Sequence, residues 1–192
     1  AEERFDGPIR VHAFTDGRDT APDGGLGYLQ QVEERLASVP RAKVASVTGR
    51  YWAMDRDRRW ERTRKAYELL VCGRAEHSAA SSREAIENAY ARGETDEFIE
   101  PTLIRGEDGS PLGTIGEGDG VIFFNFRADR ARQLSHALLG GSDWGEFERC
   151  RVPRIEFASL MEYDDQLRAP FAFELPRLEP SLAQVLAEAG MS

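Results

Sequence analysis

Apolar and polar positions along the chain predict strands that alternate with helices. Four short apolar runs have the length and composition of strands: residues 8–14, 43–48, 120–125 and 154–160. Segments with apolar side chains at helical spacing lie around them: residues 26–36, 60–71, 82–90, a segment that ends at Leu139, and residues 181–189. Such alternation is typical of an α/β fold with a largely parallel sheet flanked by helices.

Two segments of this pattern are more specific. Residues 120–125 include four consecutive apolar side chains, which predicts a strand buried on both faces. Residues 99–115 consist of two apolar runs around a turn at 106–110, which predicts a β-hairpin inserted into the α/β fold. The acids of that turn lack the Asp-x-Asp-x-Asp-Gly spacing of a calcium loop, so we expect no ion there.

Length, composition and charge limit the function classes. The chain has 192 residues, of which 41% are hydrophobic and 31% charged, so we expect a single domain over residues 1–192. The net charge of -9 argues against nucleic acid and anionic membranes as partners. No apolar run approaches the roughly 18 residues that a membrane span needs, and residues 1–10 contain no apolar signal core.

The cysteines and histidines indicate no metal site. Cys72 and Cys150 have no CxxC or histidine partner nearby in sequence, which favours two separate reduced thiols in the core of a cytoplasmic protein. His12, His77 and His136 lie far apart in sequence. His12 stands in a strand before an acidic loop, where a packing role is favoured over metal ligation.

Arginines and acidic residues follow three of the predicted strands. The first strand leads to Asp16, Arg18 and Asp19, the second to Arg50, Asp55 and Arg56, and the third to Asn125, Arg127, Asp129 and Arg130. Because ligands bind outside the carboxyl ends of parallel strands, we expect these loops to meet at one edge of the sheet. The convergence of several guanidinium groups there predicts an anion-binding site.

The side chains of these loops suit a small ligand that carries a carboxylate and a phosphate. Guanidinium groups hold both kinds of anion through paired hydrogen bonds. A carboxylate such as Asp19 can orient the arginines or accept the proton of a ligand hydroxyl. The sequence contains no Walker A loop, no Gly-x-Gly-x-x-Gly fingerprint and no Gly-x-Ser-x-Gly elbow, so it offers no evident nucleophile.

Four motifs resemble those of a known family. Residues 12–20, 49–57, 123–133 and 161–164 are similar, in the same order, to segments of the cofactor-independent phosphoglycerate mutases. The resemblance implies interconversion of 3-phosphoglycerate and 2-phosphoglycerate in glycolysis. Members of the family have two α/β domains. One resembles alkaline phosphatase and carries two manganese ions and a serine that becomes phosphorylated. The other is inserted into it and holds the glycerate.

The resemblance assigns this chain to the inserted phosphotransferase domain. The positions that match substrate-binding residues of the family are Arg18, Asp19, Arg50, Arg56, Arg127 and Arg130. Asp19 is the candidate catalytic residue, which would handle the proton of the glycerate hydroxyl. The phosphorylated serine and the manganese ligands have no counterpart here. A Gly-Gly-x-His segment of the family does not precede Arg10 either.

These departures lead us to expect most of the phosphotransferase domain, without its first strand and helix and without the metal-binding domain. We expect a monomer that depends on that second domain as its partner and is inactive alone. The alternative left open is a stand-alone phosphate- or carboxylate-binding module without catalysis. The coding sequence on either side of this segment would distinguish the two.

Overall fold

Strands and helices alternate through the residues that the computed structural model describes, 5–174 and 180–190. The strands of this part are β1 (Ile9–Thr15), β2 (Ala42–Gly49), β3 (His77–Ala79), β4 (Thr102–Ile104), β5 (Gly120–Phe123), β6 (Glu156–Met161) and β7 (Phe171–Phe173). The α-helices are α1 (Gly25–Leu36), α2 (Arg50–Ala53), α3 (Trp60–Tyr67), α4 (Ser82–Ala91), α5 (Ala128–Leu139) and α6 (Leu182–Glu188). A π-helical turn covers Glu68–Cys72, and a 3-10 turn covers Asp96–Phe98.

The strands form two sheets rather than one. The first has the order β1-β2-β4-β3 and the second the order β5-β6-β7. Strand pairing is parallel except between β2 and β4, which confirms the predicted α/β fold with largely parallel strands. No helix within residues 5–174 and 180–190 has the length and apolar character needed to cross a bilayer.

Two apolar cores stabilise these sheets. In one core, Val47 of β2 packs with Leu29 of α1 and Ile86 of α4. In the other, Leu134 of α5 packs with Phe123 of β5 and with apolar residues of β6 and the π-helical turn. Phe14 of β1 meets the ring of Phe123 edge-on, with 6.0 Å between centroids. This contact holds the carboxyl ends of β1 and β5 close together, although they belong to different sheets.

The prediction that residues 120–125 are buried on both faces is wrong. Phe123 is 9% exposed and faces α5, but Ile122 is 77% exposed and Phe124 is 76% exposed. Among the described residues, helix packing covers only the α5 side of this sheet. A continuous apolar run therefore gave no information about whether a second layer covers the other face.

The predicted hairpin is smaller than expected. Residues 106–110 do form the turn, in which the Gly106 amide donates to the Ser110 carbonyl at 2.9 Å. Its second arm makes an isolated antiparallel bridge between Arg105 and Pro111 instead of a strand. The first arm, β4, pairs with β2 and β3 and so belongs to the first sheet.

The expectation of two separate thiols is also wrong, because Cys72 and Cys150 form a disulfide. Their Cα atoms lie 6.4 Å apart across a sequence separation of 78 residues. Arg151 fixes this neighbourhood, since its Nε donates to the Val71 carbonyl at 2.8 Å and its Nη2 to the Ile115 carbonyl at 3.2 Å. The spacing of the two cysteines contained no sign of this proximity.

His12 has the packing role that its place in a strand predicts. Its Nδ1 lies 2.7 Å from Ser46 Oγ on the neighbouring strand. Burial, together with the smaller effect of the positive charge of Arg10, lowers the pKa of His12 from 6.5 to about 4. The folded protein therefore favours the neutral imidazole.

This preference makes folding stability depend on pH. Because the folded pKa of His12 lies below its unfolded value, its contribution is complete above pH 6.5 and is lost as the pH falls toward about 4. The wild-type protein should lose roughly 3 kcal/mol of unfolding free energy over this interval through protonation of His12, and the His12→Asn variant should not show this loss. Urea unfolding at neutral pH and near pH 4 would measure it. Equal losses of unfolding free energy in variant and wild type would contradict this role.

Candidate arginine site

Asp19 joins two arginines that come from different sheets. Arg50 lies where β2 passes into α2 and is 4% exposed. Its Nη1 donates to Asp16 Oδ1 at 2.5 Å and to Asp19 Oδ2 at 3.0 Å. Nη1 of Arg127, which follows β5, donates to the same Asp19 oxygen at 2.9 Å. One carboxylate thus links the loops after β1, β2 and β5.

The 3-10 turn at Asp96–Phe98 holds the first two loops in place. Thr15, at the end of β1, donates its hydroxyl to the Asp96 carbonyl at 2.7 Å. Gly17 has a φ of 63° and lies so close that a Cβ there would stand 2.6 Å from the Glu97 amide nitrogen. A Cβ at Gly49 would collide with the Glu97 carbonyl. Glycine at these two positions therefore lets both loops pack on the turn.

Arg56 and Arg130 form a second pair around the first turn of α5. Arg56 Nη1 donates to Asp129 Oδ2 at 2.6 Å. Arg130 Nη1 donates to the Met54 carbonyl at 3.2 Å. Its Nε is buried and has no hydrogen-bond partner among the described residues. A buried donor without an acceptor is costly, and a bound anion would supply one.

The pKa values show how the charges act on one another. The hydrogen bond from Arg50 holds the pKa of Asp19 below its ordinary value, and the charge of Arg127 adds to this effect. Burial raises the pKa of Asp129, but Arg56 and Arg127 outweigh it and the net direction is down. Burial lowers the pKa of Arg130, and the positive charges of Arg56 and Arg50 lower it further. Arg130 is therefore a cation without enough negative charge around it.

The structure brings together five of the six residues predicted to bind substrate. Asp19, Arg50 and Arg127 share hydrogen bonds, and Arg56 and Arg130 lie beside them. The two groups are connected through Asp129, whose Oδ1 lies 4.0 Å from Arg127 Nε. Arg18 lies apart from them: its side chain is 59% exposed and lies 3.6 Å from Glu97. It stands at the rim of the site.

Two buried residues support the site although neither is among the residues predicted to bind the ligand. Asp55 is 4% exposed and accepts hydrogen bonds from Arg59 and from Gln133. Gln133 is 6% exposed and lies one turn after Asp129 on α5. The i, i+4 spacing of Asp129 and Gln133 places both on the side of α5 that meets the Arg56 loop. This spacing is the feature of the sequence that could have indicated that Gln133 supports the site.

A separate group of potential metal ligands lies outside the arginine loops. Among residues 5–174 and 180–190, Glu76, His77 and Glu100 have ligand atoms within 4.8 Å of one another. Lys65 already pairs with Glu76 at 3.0 Å, and His77 pairs with Glu100 at 3.1 Å. These pairs account for the group without an ion.

The buried Nε of Arg130, which has no acceptor among the described residues, leads to a test by thermal unfolding. We expect inorganic phosphate to raise the melting temperature of the wild-type chain, since a ligand that binds the folded state stabilises it by about 2.7 kcal/mol at a hundredfold excess over Kd. Arg130→Met should lose this gain and should be no less stable without phosphate, because it removes a desolvated charge.

Arg154→Met is the matched control, because that side chain is 93% exposed and pairs with Glu117 instead of the site carboxylates. It should keep the full effect of phosphate. An Arg130→Met variant that gains as much from phosphate as the control would show that Arg130 is not part of an anion site.

Comparisons with known proteins find relatives that match most of this chain. The family model described as BPG-independent PGAM N-terminus matches residues 1–165. The chain is 50% identical over 184 residues to the 2,3-bisphosphoglycerate-independent phosphoglycerate mutase of Thermomicrobium roseum, covering 95% of this chain and 35% of that protein. It is 43% identical over 192 residues to 2,3-bisphosphoglycerate-independent phosphoglycerate mutase 1 of Methanosarcina acetivorans, and the match covers 100% of this chain and 37% of that protein.

A solved structure is similar over the same extent. The crystal structure of Leishmania mexicana phosphoglycerate mutase at low cobalt concentration superposes with a TM-score of 0.85 at 33% sequence identity. The match covers 95% of this chain and 35% of that one. The chain therefore spans little more than a third of the length of these relatives.

Proposed function

The chain belongs to the family of 2,3-bisphosphoglycerate-independent phosphoglycerate mutases, and we propose that it is the substrate-holding part of such an enzyme. The activity proposed for the whole protein is the interconversion of 3-phosphoglycerate and 2-phosphoglycerate in glycolysis. The observation that carries this proposal is the convergence of four arginines, one of which has a buried Nε without a hydrogen-bond partner in the described part of the chain.

The two arginine pairs suit the two anionic ends of a phosphoglycerate. Arg50 and Arg127 share Asp19, and Arg56 and Arg130 lie around the start of α5. A ligand held at both its carboxylate and its phosphate cannot rotate freely. Its hydroxyl oxygens are then fixed in place for in-line attack on a phosphoryl group, which is the main requirement of such a transfer.

Asp19 is proposed to receive the proton of the attacking glycerate hydroxyl. The hydrogen bond from Arg50 lowers its pKa, so Asp19 is ionised at neutral pH and acts as an acceptor. A carboxylate with a lowered pKa is a weak base, so its larger contribution is to orient the hydroxyl. As the hydroxyl oxygen bonds to phosphorus, the bond between phosphorus and the leaving oxygen of the donor breaks, and the hydroxyl proton passes to the Asp19 carboxylate. Arg18, at the rim, is proposed to contact the ligand when the site closes.

The phosphoryl donor is proposed to lie in a second domain of the parent protein. The resemblance implies a phosphoserine and two manganese ions in that domain. The arginine loops do not fit a manganese pair, because manganese prefers clustered carboxylate and imidazole ligands, whereas the carboxylates of Asp16, Asp19 and Asp129 are already hydrogen-bonded to guanidinium groups. We therefore place the metal ligands outside residues 1–192 and the second domain over the open side of the arginine site.

The setting of the protein follows from the proposed reaction. We propose a cytoplasmic location, because glycolytic phosphoglycerates are cytoplasmic metabolites. We also propose that the protein is a monomer. Nucleic acid and membrane have no place in this proposal, in keeping with the net charge of -9.

A titration of the isotope-labelled chain with 3-phosphoglycerate tests the proposed binding. We expect amide shift changes confined to residues 16–20, 50–59 and 125–130, at lower concentration than with sulfate. Arg127→Met should bind on the order of tenfold more weakly, because a charge-assisted hydrogen bond contributes roughly 1.5–3 kcal/mol. Arg154→Met, far from these loops, is the control. In a folded chain, equal responses to both anions would favour a general anion-binding module.

Turnover in the intact enzyme tests the catalytic proposal. We expect Arg127→Ala there to lower kcat/KM on the order of a hundredfold to a thousandfold, by analogy with the loss of a single oxyanion donor. Asp19→Asn should lower kcat more than it raises KM, because it keeps the shape of the side chain and loses the proton acceptor. Near-normal turnover of both variants would refute the assigned roles.

A further inference from the structure

Gln133 fastens the loop at residues 54–59, which carries Arg56, to helix α5. Its Nε2 donates to Asp55 Oδ2 and to Thr63 Oγ1, each at 3.1 Å. Its Oε1 accepts the backbone amide of Arg58 at 2.7 Å. The side-chain amide thus uses both its donors and its acceptor in a position that is 6% exposed.

The loop needs such an anchor because its backbone is strained. Arg58 has a φ of 58° and is the only non-glycine residue with a positive φ in the described part of the chain. A non-glycine residue in this region is unfavourable and persists where the surrounding contacts enforce it. Here the enforcing contacts are the Gln133 acceptor on one side and the Asp55 carboxylate on the other.

Arg56 lies between these two anchored positions. Asp55 directly precedes Arg56, and its Oδ2 accepts the amides of Asp57 and Arg59, so the backbone that follows Arg56 curls back around that carboxylate. The guanidinium of Arg56 reaches Asp129, one turn before Gln133 on α5. The same helix therefore holds the loop backbone through Gln133 and the arginine side chain through Asp129.

We propose that Gln133 is a positioning residue, which sets the place of Arg56 for anion binding by holding Asp55 and the Arg58 amide. It acts through Arg56 and does not touch the ligand. The identification of that ligand as a phosphoglycerate rests on the proposed function. The proposal about Gln133 itself concerns the shape of the loop and the anion that Arg56 binds.

Three variants separate this role from a merely structural one. Gln133→Met keeps the length of the side chain and removes its hydrogen bonds. Arg56→Met removes the group that Gln133 is proposed to place. Ser135→Ala is the matched control, since Ser135 is fully buried on the same helix and its hydroxyl has no partner among the described residues.

Hydrogen exchange on the unliganded chain reports on the loop directly. We expect the Arg58 amide to be protected in the wild type and in Ser135→Ala, and to exchange at least about tenfold faster in Gln133→Met. Protection elsewhere in α5 should be kept, which shows that the variant is folded. Equal protection of the Arg58 amide in Gln133→Met would overturn the proposal. This measurement needs no ligand, so it stands whether or not phosphoglycerate binds.

A double-mutant cycle on 3-phosphoglycerate binding tests the connection to Arg56. Gln133→Met should weaken binding on the order of tenfold in the wild-type background and by less than about twofold in the Arg56→Met background. An equal loss in both backgrounds would mean that Gln133 supports the fold generally, and would overturn the proposal. If the folded wild type binds no phosphoglycerate at all, the proposed function fails, and the cycle run with inorganic phosphate decides the role of Gln133.

Discussion

The arginine site depends on carboxylates that lie between like charges. Two unit charges 4 Å apart near a protein surface interact by about 4 kcal/mol, so a cluster of bare guanidinium groups would push its loops apart. Asp19 lies between Arg50 and Arg127, and Asp129 between Arg56 and Arg127. The compensation is incomplete at Arg130, and we propose that this remaining positive charge attracts an anion to the site.

The fold places these charges together through contacts distant from the ligand. Phe14 and Phe123 join the ends of two separate sheets, and the turn at Asp96–Phe98 supports the loops after β1 and β2. Helix α5 supplies Asp129, Arg130 and Gln133 from one side. The site is therefore a meeting point of rigid elements, and a shift in any one of them would separate an arginine from its neighbours.

Sequence patterns predicted the longer helices and strands and the charged loops that follow three of the strands, because these depend on local regularities; the short elements α2, β3 and β7 were not predicted. Helices α1, α4 and α5 have apolar residues at helical spacing, and the charged loops follow strands whose carboxyl ends meet. The division into two sheets, the exposed face of β5 and the pairing of Cys72 with Cys150 depend on contacts between distant segments. The supporting role of Gln133 was missed for a similar reason, since the direction of its side chain decides which groups it contacts.

A crystal structure of the chain with 3-phosphoglycerate tests the central claim most directly. In the free chain the Arg130 Nε has no hydrogen-bond partner among the described residues. The account predicts a phosphate or carboxylate oxygen of the ligand within hydrogen-bond distance of this atom. The other anionic end of the ligand should lie near Arg50 and Arg127. The account also predicts that Asp19 still lies between those two arginines. A ligand bound elsewhere, or bound here with the Arg130 Nε left without a partner, would contradict the account.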